Sequence, residues 1–172
     1  MDSSASHGGK KGSISVLFVC MGNICRSPLA EGIFRQCLRD AGLEAQVDVD
    51  SAGTGNWHAG DPPDPRSVET AAGHGIDITM QRARQVEPED YERFDLIFAM
   101  DRSNEATLKA HAPSSRHGRI HLFLEHTMGT RADIPDPYYG GDDGFENVYQ
   151  LLREGCQVLL ERLGAELRQP RG

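Results

Sequence analysis

Apolar segments alternate with amphipathic ones along this chain, and the alternation predicts an α/β fold. Residues 14–20 (ISVLFVC) are almost wholly apolar and rich in β-branched and aromatic side chains, as in a strand buried on both faces. Residues 94–100 have the same character, residues 47–51 alternate valine with aspartate, and residues 119–124 form a weaker candidate. The pattern therefore offers four strands.

Segments with helical spacing separate these candidate strands. Apolar residues recur at helical intervals after Pro28, whose ring suits a first helical turn, and Gly42 is suited to end that helix. Strands that alternate with helices predict a parallel sheet covered on both faces. Residues 127–143, rich in Gly, Asp and Pro, are predicted to form a loop. The other predicted helices are 64–73, one from about 103, and a long amphipathic one from 145 to 163.

The chain is expected to form one domain over residues 13–168, preceded by a disordered tail over residues 1–12. The tail is polar and lacks the apolar core of a signal peptide, so secretion is not expected. No apolar stretch approaches transmembrane length. The 172 residues suffice for one buried core.

Charge and cysteine content narrow the function classes. Asp and Glu outnumber Lys and Arg by 26 to 18, which argues against nucleic acid or an anionic membrane as a partner. The four cysteines show no disulfide framework, which favours a reduced cytoplasm. The seven histidines show no ligand spacing, so no metal is expected.

Residues 20–27 (CMGNICRS) form the segment with the clearest chemistry. They leave a buried strand and enter a helix, which directs backbone N–H groups and the positive end of the helix at one point, as in an anion site. Gly22 and Asn23 tolerate the left-handed backbone that such a cradle needs. The segment lacks the Gly-Lys-Ser/Thr of an ATP-binding loop.

Cys20 and Arg26 suit nucleophilic attack on a phosphate group. The helix N-terminus and the guanidinium both favour the thiolate form of Cys20. Arg26 presents a planar fork that matches two phosphate oxygens, and Ser27 could donate a hydrogen bond to the sulfur. The alternative to a phosphate site is that Cys20 is a core residue and Arg26 a solvated helix residue. A Cys-x5-Arg spacing without the surrounding strand, loop and helix signals would favour that alternative.

Asp136 is the candidate for the proton donor that a leaving aryl oxygen requires. It lies between Pro135 and Pro137, which fix the backbone, and two tyrosines follow that could flank an aromatic ring. Taken alone, Asp136 would be read as turn chemistry. The cysteine loop is what favours an acid role.

The segments 19–28 (VCMGNICRSP) and 136–140 (DPYYG) resemble the signature loop and the acid loop of low-molecular-weight protein tyrosine phosphatases. Asp50-Ser51-Ala52-Gly53, Asp64-Pro65-Arg66, residues 83–86 (ARQV) and Met100-Asp101 are similar to further landmarks of that family, in the same order. The resemblance covers about residues 14–166. It implies a four-stranded parallel sheet with helices on both faces, and neither a metal nor an organic cofactor.

The resemblance also implies roles for individual residues. Cys20 would be phosphorylated transiently, Arg26 would bind phosphate, and Asp136 would act first as acid and then as base. The substrate would be a phosphotyrosine protein, the site would bind phosphate and other oxyanions, and a tyrosine kinase would be a candidate partner. Asn23, Ser27, Ser51 and Asp101 match residues that support the loop, Met21, Gly22, Ile24 and Cys25 belong to the loop itself, and Met21, Ile24, Trp57, Tyr138 and Tyr139 match the substrate cleft.

Two positions qualify the resemblance. Many members carry a histidine, hydrogen-bonded to the loop, where this chain has Gln81; a glutamine amide can still donate, so the loop is expected to form. In the family, a pair such as Cys20 and Cys25 can form a reversible disulfide that protects the nucleophile. Simple packing of Cys25 under the loop is an equal and compatible interpretation.

Three other functions fit parts of the sequence. Arsenate reductases of this fold need further cysteines, and a pair that they carry in the region 73–100 is absent here, while Cys37 and Cys156 lie on other elements. A catalytically dead anion-binding module would lack the nucleophile or the acid. A zinc site would have only Cys20 and Cys25 as thiolates, next to the cation Arg26.

Overall fold

The computed structural model describes residues 13–139 and 142–168, with the side chains of Tyr139 and Asp142 outside the described part. The tail predicted for residues 1–12 also lies outside the described residues. None of the helices within the described ranges combines the length and the apolar composition needed to cross a membrane.

Four parallel strands form one sheet in the order β2-β1-β3-β4. The strands are β1 (Ile14–Cys20), β2 (Val47–Gly53), β3 (Leu96–Ala99) and β4 (Ile120–Leu122). The helices are α1 (Arg26–Ala41), α2 (Pro65–Gly73), α3 (Asp90–Arg93), α4 (Arg102–His111), α5 (Phe123–Met128) and α6 (Asp142–Arg168). The α/β class and the four-stranded parallel sheet expected from the sequence are therefore confirmed.

The central strand β1 packs on both faces, as its sequence predicts. Phe18 faces one layer, where its ring lies about 6 Å from those of Phe34, Phe98 and Phe123. Leu17 faces the opposite layer, which includes the side chains packed beneath α3 and α4. Burial on both faces explains why this strand reads as a nearly continuous apolar run.

Helix α1 starts at Arg26, two residues before the proline that marked its predicted start. Arg26 and Ser27 thus lie on the first helical turn, which points their side chains at the preceding loop. The helix ends at Ala41, and its C-cap Gly42 has a φ of 73°, the left-handed conformation that glycine adopts without steric cost. The predicted end is confirmed.

The prediction was wrong where an apolar run crosses an element boundary. Strand β4 stops at Leu122, and the residues that follow form α5, although residues 119–124 read as one strand and 127–143 as one loop. Leu124 is buried like a strand residue, so burial alone does not reveal the change from strand to helix. The single turn α3 was missed because four residues are too few for a helical period. Strand β3 is also shorter than the predicted 94–100.

The strand register brings the carboxyl ends of the strands together at one edge of the sheet. Cys20, the last residue of β1, is paired with Gly53, the last residue of β2. Met100 follows β3 directly and donates its backbone N–H to the carbonyl of Val19. In an open parallel sheet this edge is the usual place for a ligand.

Candidate active site

Cys20 lies buried at the end of β1, at the base of the loop that leads into α1. Its Sγ is 3.1 Å from Ser27 Oγ, which belongs to the first turn of the helix. The sulfur therefore sits below the N-terminus of a sixteen-residue helix, where backbone N–H groups lack partners within the helix. Such a position stabilises negative charge on the sulfur and on an anion above it.

Asn23 fixes the shape of this loop from the inside. Its φ is 57°, which makes it the non-glycine residue in the described chain with a left-handed backbone. Its Nδ2 donates to Ser27 Oγ at 2.8 Å and to Ser51 Oγ at 3.0 Å, while its Oδ1 accepts from the Arg84 N–H at 3.0 Å. The side chain thus offsets the strain of its own backbone by joining three parts of the chain.

Two glycines allow other groups to approach the loop. Gly22 does not share the left-handed conformation that its sequence suggested; an added Cβ there would lie 3.1 Å from the His58 ring. At Gly53, an added Cβ would lie 2.7 Å from the Met21 carbonyl oxygen, closer than real Cβ atoms come. The end of β2 can therefore pack against the loop only because residue 53 has no side chain.

Beneath the loop, hydrogen bonds link Cys20 through Ser27, Asn23 and Ser51 to a buried carboxylate. Ser51 Oγ accepts from Asn23 and donates to Glu31 Oε1 at 2.7 Å. Glu31 Oε2 in turn accepts from Arg35 Nε at 2.9 Å. Burial raises the pKa of Glu31, against the opposing effects of Ser51 and Arg35.

Arg26 is buried, and its side chain is held from two sides. Its NH1 group donates to Asp101 Oδ2 at 2.7 Å and to the Ile134 carbonyl oxygen at 2.9 Å. Asp101 also caps α4 by accepting from the Asn104 N–H at 2.7 Å. Burial opposes the charge of Arg26, yet the facing Cys20, Asp101 and Asp136 keep its pKa above its ordinary value.

Asp136 lies on the opposite side of the cleft and is far less enclosed. Its Oδ2 is 3.7 Å from Arg26 NH2, and its side chain is about one-third exposed (32%). Its Oδ1 accepts from the Tyr138 N–H at 3.0 Å, within a 3-10 turn over Pro137–Tyr139. The carboxyl group is therefore oriented locally and remains open to water and to an entering ligand.

The cleft between these groups has a volume of about 300 Å³. Met21, Ile24, Trp57 and Tyr138, all predicted to line it, do so, and Trp57 is 69% exposed at the rim. The Tyr139 side chain, also predicted here, lies outside the described residues. His58 lines the cleft as well and was missed, because a histidine in a Gly-rich loop gives no signal by itself.

Cys25 lines the same cleft next to the predicted nucleophile, at the N-cap of α1. Burial, followed by the nearby Asp64, Cys20 and Asp136 charges, raises the pKa of its thiol to about 12. At neutral pH Cys25 is therefore protonated. All four cysteines are free thiols.

Gln81 contacts the helix that follows the loop rather than the loop itself. Its Nε2 donates to the Pro28 carbonyl oxygen at 3.1 Å, and its Oε1 is buried with no hydrogen-bond partner among the described residues. The loop is nevertheless formed, because Asn23, Ser51 and the Arg84 backbone hold it. The Gln81 amide does donate, but to the first turn of α1 and not to the loop that precedes it.

Sequence reasoning missed three residues that support the loop from a distance. Glu31 could have been found as an acidic residue on the buried face of α1. The Arg84 backbone and the Ile134 carbonyl could not, because main-chain contacts leave no side-chain pattern.

Among the described residues, no three His, Cys, Asp or Glu side chains are grouped as ligands for a metal ion.

The sequence and the fold of this chain are similar to those of known proteins. Residues 15–169 match the family model described as low molecular weight phosphotyrosine protein phosphatase. A protein of that name from Schizosaccharomyces pombe is 45% identical over 153 residues, which cover 88% of this chain and 97% of the relative.

Solved structures are similar over nearly the whole of their length. The crystal structure of YfkJ from Bacillus subtilis matches with a TM-score of 0.84 at 44% identity, covering 91% of this chain and 98% of that one. A protein tyrosine phosphatase from Entamoeba histolytica, with Hepes in its active site, matches with a TM-score of 0.85 at 34% identity, covering 90% and 99%.

Proposed function

The chain belongs to the low molecular weight phosphotyrosine protein phosphatase family, and we propose that it hydrolyses phosphotyrosine at the Cys20 loop through a phosphocysteine intermediate. The observation that carries this proposal is the convergence of three groups on one cleft. The Cys20 thiol lies at its base, the Arg26 guanidinium beside it and the Asp136 carboxyl group opposite.

In the first step, the Cys20 thiolate attacks the phosphorus atom, and the bond to the phenolic oxygen breaks. Arg26 and the loop N–H groups stabilise the charge on the three transferring oxygens. Asp136, protonated at this stage, gives its proton to the departing phenolate, so that tyrosine leaves neutral. The Ser27 hydroxyl, 3.1 Å from the sulfur, can donate to Cys20.

In the second step, water attacks the phosphocysteine on the side that the tyrosine has left. Asp136, now ionised, takes a proton from this water. The phosphorus–sulfur bond breaks, inorganic phosphate forms, and Cys20 returns to the thiolate. The hydrogen bond from Ser27 stabilises the leaving sulfur. The enzyme therefore ends the cycle in the protonation state in which it began.

The cleft accounts for the substrate class. Trp57 and Tyr138 provide flat apolar walls that suit the ring of a phosphotyrosine or a small aryl phosphate. Arg26 and the loop N–H groups stabilise the charge, and Asp136 carries the proton in both steps, so we propose that no metal takes part. Four free thiols, one of them the nucleophile, favour a reduced compartment such as the cytoplasm.

The test is hydrolysis of an aryl phosphate by reduced protein in the presence of a chelator. We expect turnover in the wild type, none with Cys20→Ser, and a loss of about 10² or more with Asp136→Ala. Cys37→Ser is the matched control, because it removes a thiol on the far part of α1, and it should retain activity. Absence of turnover in reduced wild type would refute the proposal.

A further inference from the structure

Asp64-Pro65-Arg66 is a motif that the proposed chemistry leaves unused, and it lies between the two halves of the site. Asp64 is the N-cap of α2, and its backbone N–H donates to the Ile24 carbonyl oxygen of the phosphate loop at 2.8 Å. Arg66 then extends from the first turn of α2 toward residues 136–139, the acid segment, which carries Asp136. The motif is thus anchored to the loop and points at the acid.

Arg66 is fixed at its base by Asp64. The carboxylate accepts from the Arg66 N–H at 2.8 Å, from Nε at 3.1 Å and from NH2 at 3.0 Å. A planar guanidinium held at two nitrogens by one carboxylate has a defined orientation, which a lysine could not reproduce. The remaining nitrogen, NH1, can therefore donate to a group other than Asp64.

The acceptor of this NH1 group lies in the acid segment. Arg66 NH1 donates to the Tyr138 carbonyl oxygen at 3.2 Å, and its guanidinium carbon lies 5.3 Å from the centre of the Tyr138 ring. The guanidinium also lies 4.7 Å from the ring of Phe145, near the start of α6. Arg66 therefore contacts both the acid segment and the start of α6.

Tyr138 links this arginine to the proton donor. Its carbonyl oxygen accepts from Arg66, and its N–H donates to Asp136 Oδ1. A displacement of Tyr138 would therefore turn the Asp136 carboxyl group away from the leaving oxygen, while the groups that hold phosphate would keep their contacts. Asp136 itself has few other restraints, since it is one-third exposed.

We infer that Arg66 is a positioning residue for the proton donor: it holds the acid segment at a set distance from the phosphate loop through Asp64 on one side and Tyr138 on the other. This inference rests on the proposed function. Arg66 has no contact with the phosphate-holding groups Cys20 and Arg26 among its hydrogen bonds in the described chain. Its loss should therefore affect protonation of the leaving group rather than binding of phosphate.

A series of aryl phosphates separates the two effects. A nitrophenol leaves readily without a proton, whereas unsubstituted phenol needs one. With Arg66→Gln we expect kcat/KM for phenyl phosphate to fall about tenfold, a part of the 10² or more that a general acid contributes. The value for p-nitrophenyl phosphate should change by less than about twofold, and the inhibition constant of inorganic phosphate should stay unchanged.

Three further variants make the test specific. Arg66→Lys keeps the charge without the planar fork, and we expect the same steeper dependence on the leaving group. Arg66→Gln added to Asp136→Ala should have no further effect, because a residue that acts through Asp136 cannot act in its absence. Arg116→Gln, which removes an arginine paired with Glu92 away from the site, should behave as wild type.

The outcomes distinguish this inference from the proposed function. An equal fall for every substrate, an unchanged dependence on the leaving group, or an additive effect in the Asp136→Ala background would each overturn the role of Arg66. If Arg66→Gln does not fold, Arg66→Lys decides by the same criteria. Failure of the wild type to hydrolyse any of these esters would instead refute the phosphatase activity itself.

Discussion

In the phosphate loop, Asn23, Arg26 and Ser27 are buried and each has at least two hydrogen bonds or ionic contacts. In the acid segment, Asp136 is one-third exposed and has one backbone hydrogen bond and a 3.7 Å ionic contact. The two regions face each other across one cleft, but the first is held by the fold and the second by a few contacts.

This difference corresponds to the work that each region does. Phosphate oxygens need donors that are already in place, since reorganising dipoles during the reaction would cost free energy. The acid must admit a bulky ring, protonate it and then accept water. Rigid support therefore suits the loop, and a short tether such as Arg66 suits the acid.

Among variants that keep the nucleophile, the largest effect should come from Arg26→Lys. A lysine keeps the charge but cannot hold Asp101, the Ile134 carbonyl and phosphate with one planar group. We expect kcat/KM to fall by about 10³ at unchanged fold, comparable to the loss of an oxyanion donor. Steady-state kinetics with thermal denaturation measures both. Activity within tenfold of wild type would show that charge alone suffices.

Two substitutions at Asn23 distinguish the stability that comes from its backbone conformation from the stability that comes from its side-chain hydrogen bonds. Asn23→Gly loses the three side-chain hydrogen bonds but adopts the left-handed conformation without steric cost. Asn23→Ala loses the same hydrogen bonds and is also strained in that conformation. We expect Asn23→Ala to lower the free energy of unfolding by about 2–3 kcal/mol, and Asn23→Gly by about 1 kcal/mol less. Denaturant titration measures the difference. Equal losses would mean that the φ of 57° carries no strain.

Much of the loop could be predicted from the sequence, and so could its supports Ser51 and Asp101, but the other supports could not. Cys20, Asn23, Arg26 and Ser27 are close in the chain, and their spacing is itself the signal for a strand, an anion cradle and a helix. Glu31 was missed although it lies on α1, because only the fold shows that it meets Ser51 of β2.

The acid segment was harder to predict for a physical reason. Asp136 reads as turn chemistry until the fold places it across from Arg26. The tether through Arg66 depends on the approach of α2 to Tyr138, 72 residues apart in sequence. Similarly, the predicted end of β4 was wrong because the apolar run continues into α5.

Glu31→Gln should change how stability depends on pH. Burial raises the pKa of Glu31 above its ordinary value of 4.5, so above that pH the folded chain binds more protons at this site than the unfolded chain. The free energy of unfolding of wild type minus that of Glu31→Gln should therefore be greatest in acid and decrease as pH rises. Denaturant titrations from pH 4 to 8 measure it, and an increase would contradict this sign.

The smallest effect concerns peroxide resistance and Cys25. If the Cys25 thiolate attacks a Cys20 sulfenic acid, hydroxide leaves and a disulfide forms, which a dithiol can reverse. With a pKa of about 12, the thiolate fraction of Cys25 rises with pH throughout the neutral range. We expect recovery after peroxide to be several-fold lower in Cys25→Ser than in wild type, and recovery in wild type to increase with pH. Equal recovery in both would leave Cys25 a packing residue.

The central claim is that phosphate passes through the Cys20 sulfur. The most direct test is a rapid acid quench of Asp136→Ala during turnover of p-nitrophenyl phosphate, followed by peptide mapping with mass spectrometry. The second step needs Asp136 as base, so the intermediate should accumulate, with phosphate on the peptide that contains Cys20. Phosphate on another residue, or turnover with no phosphoenzyme at any quench time, would contradict the account.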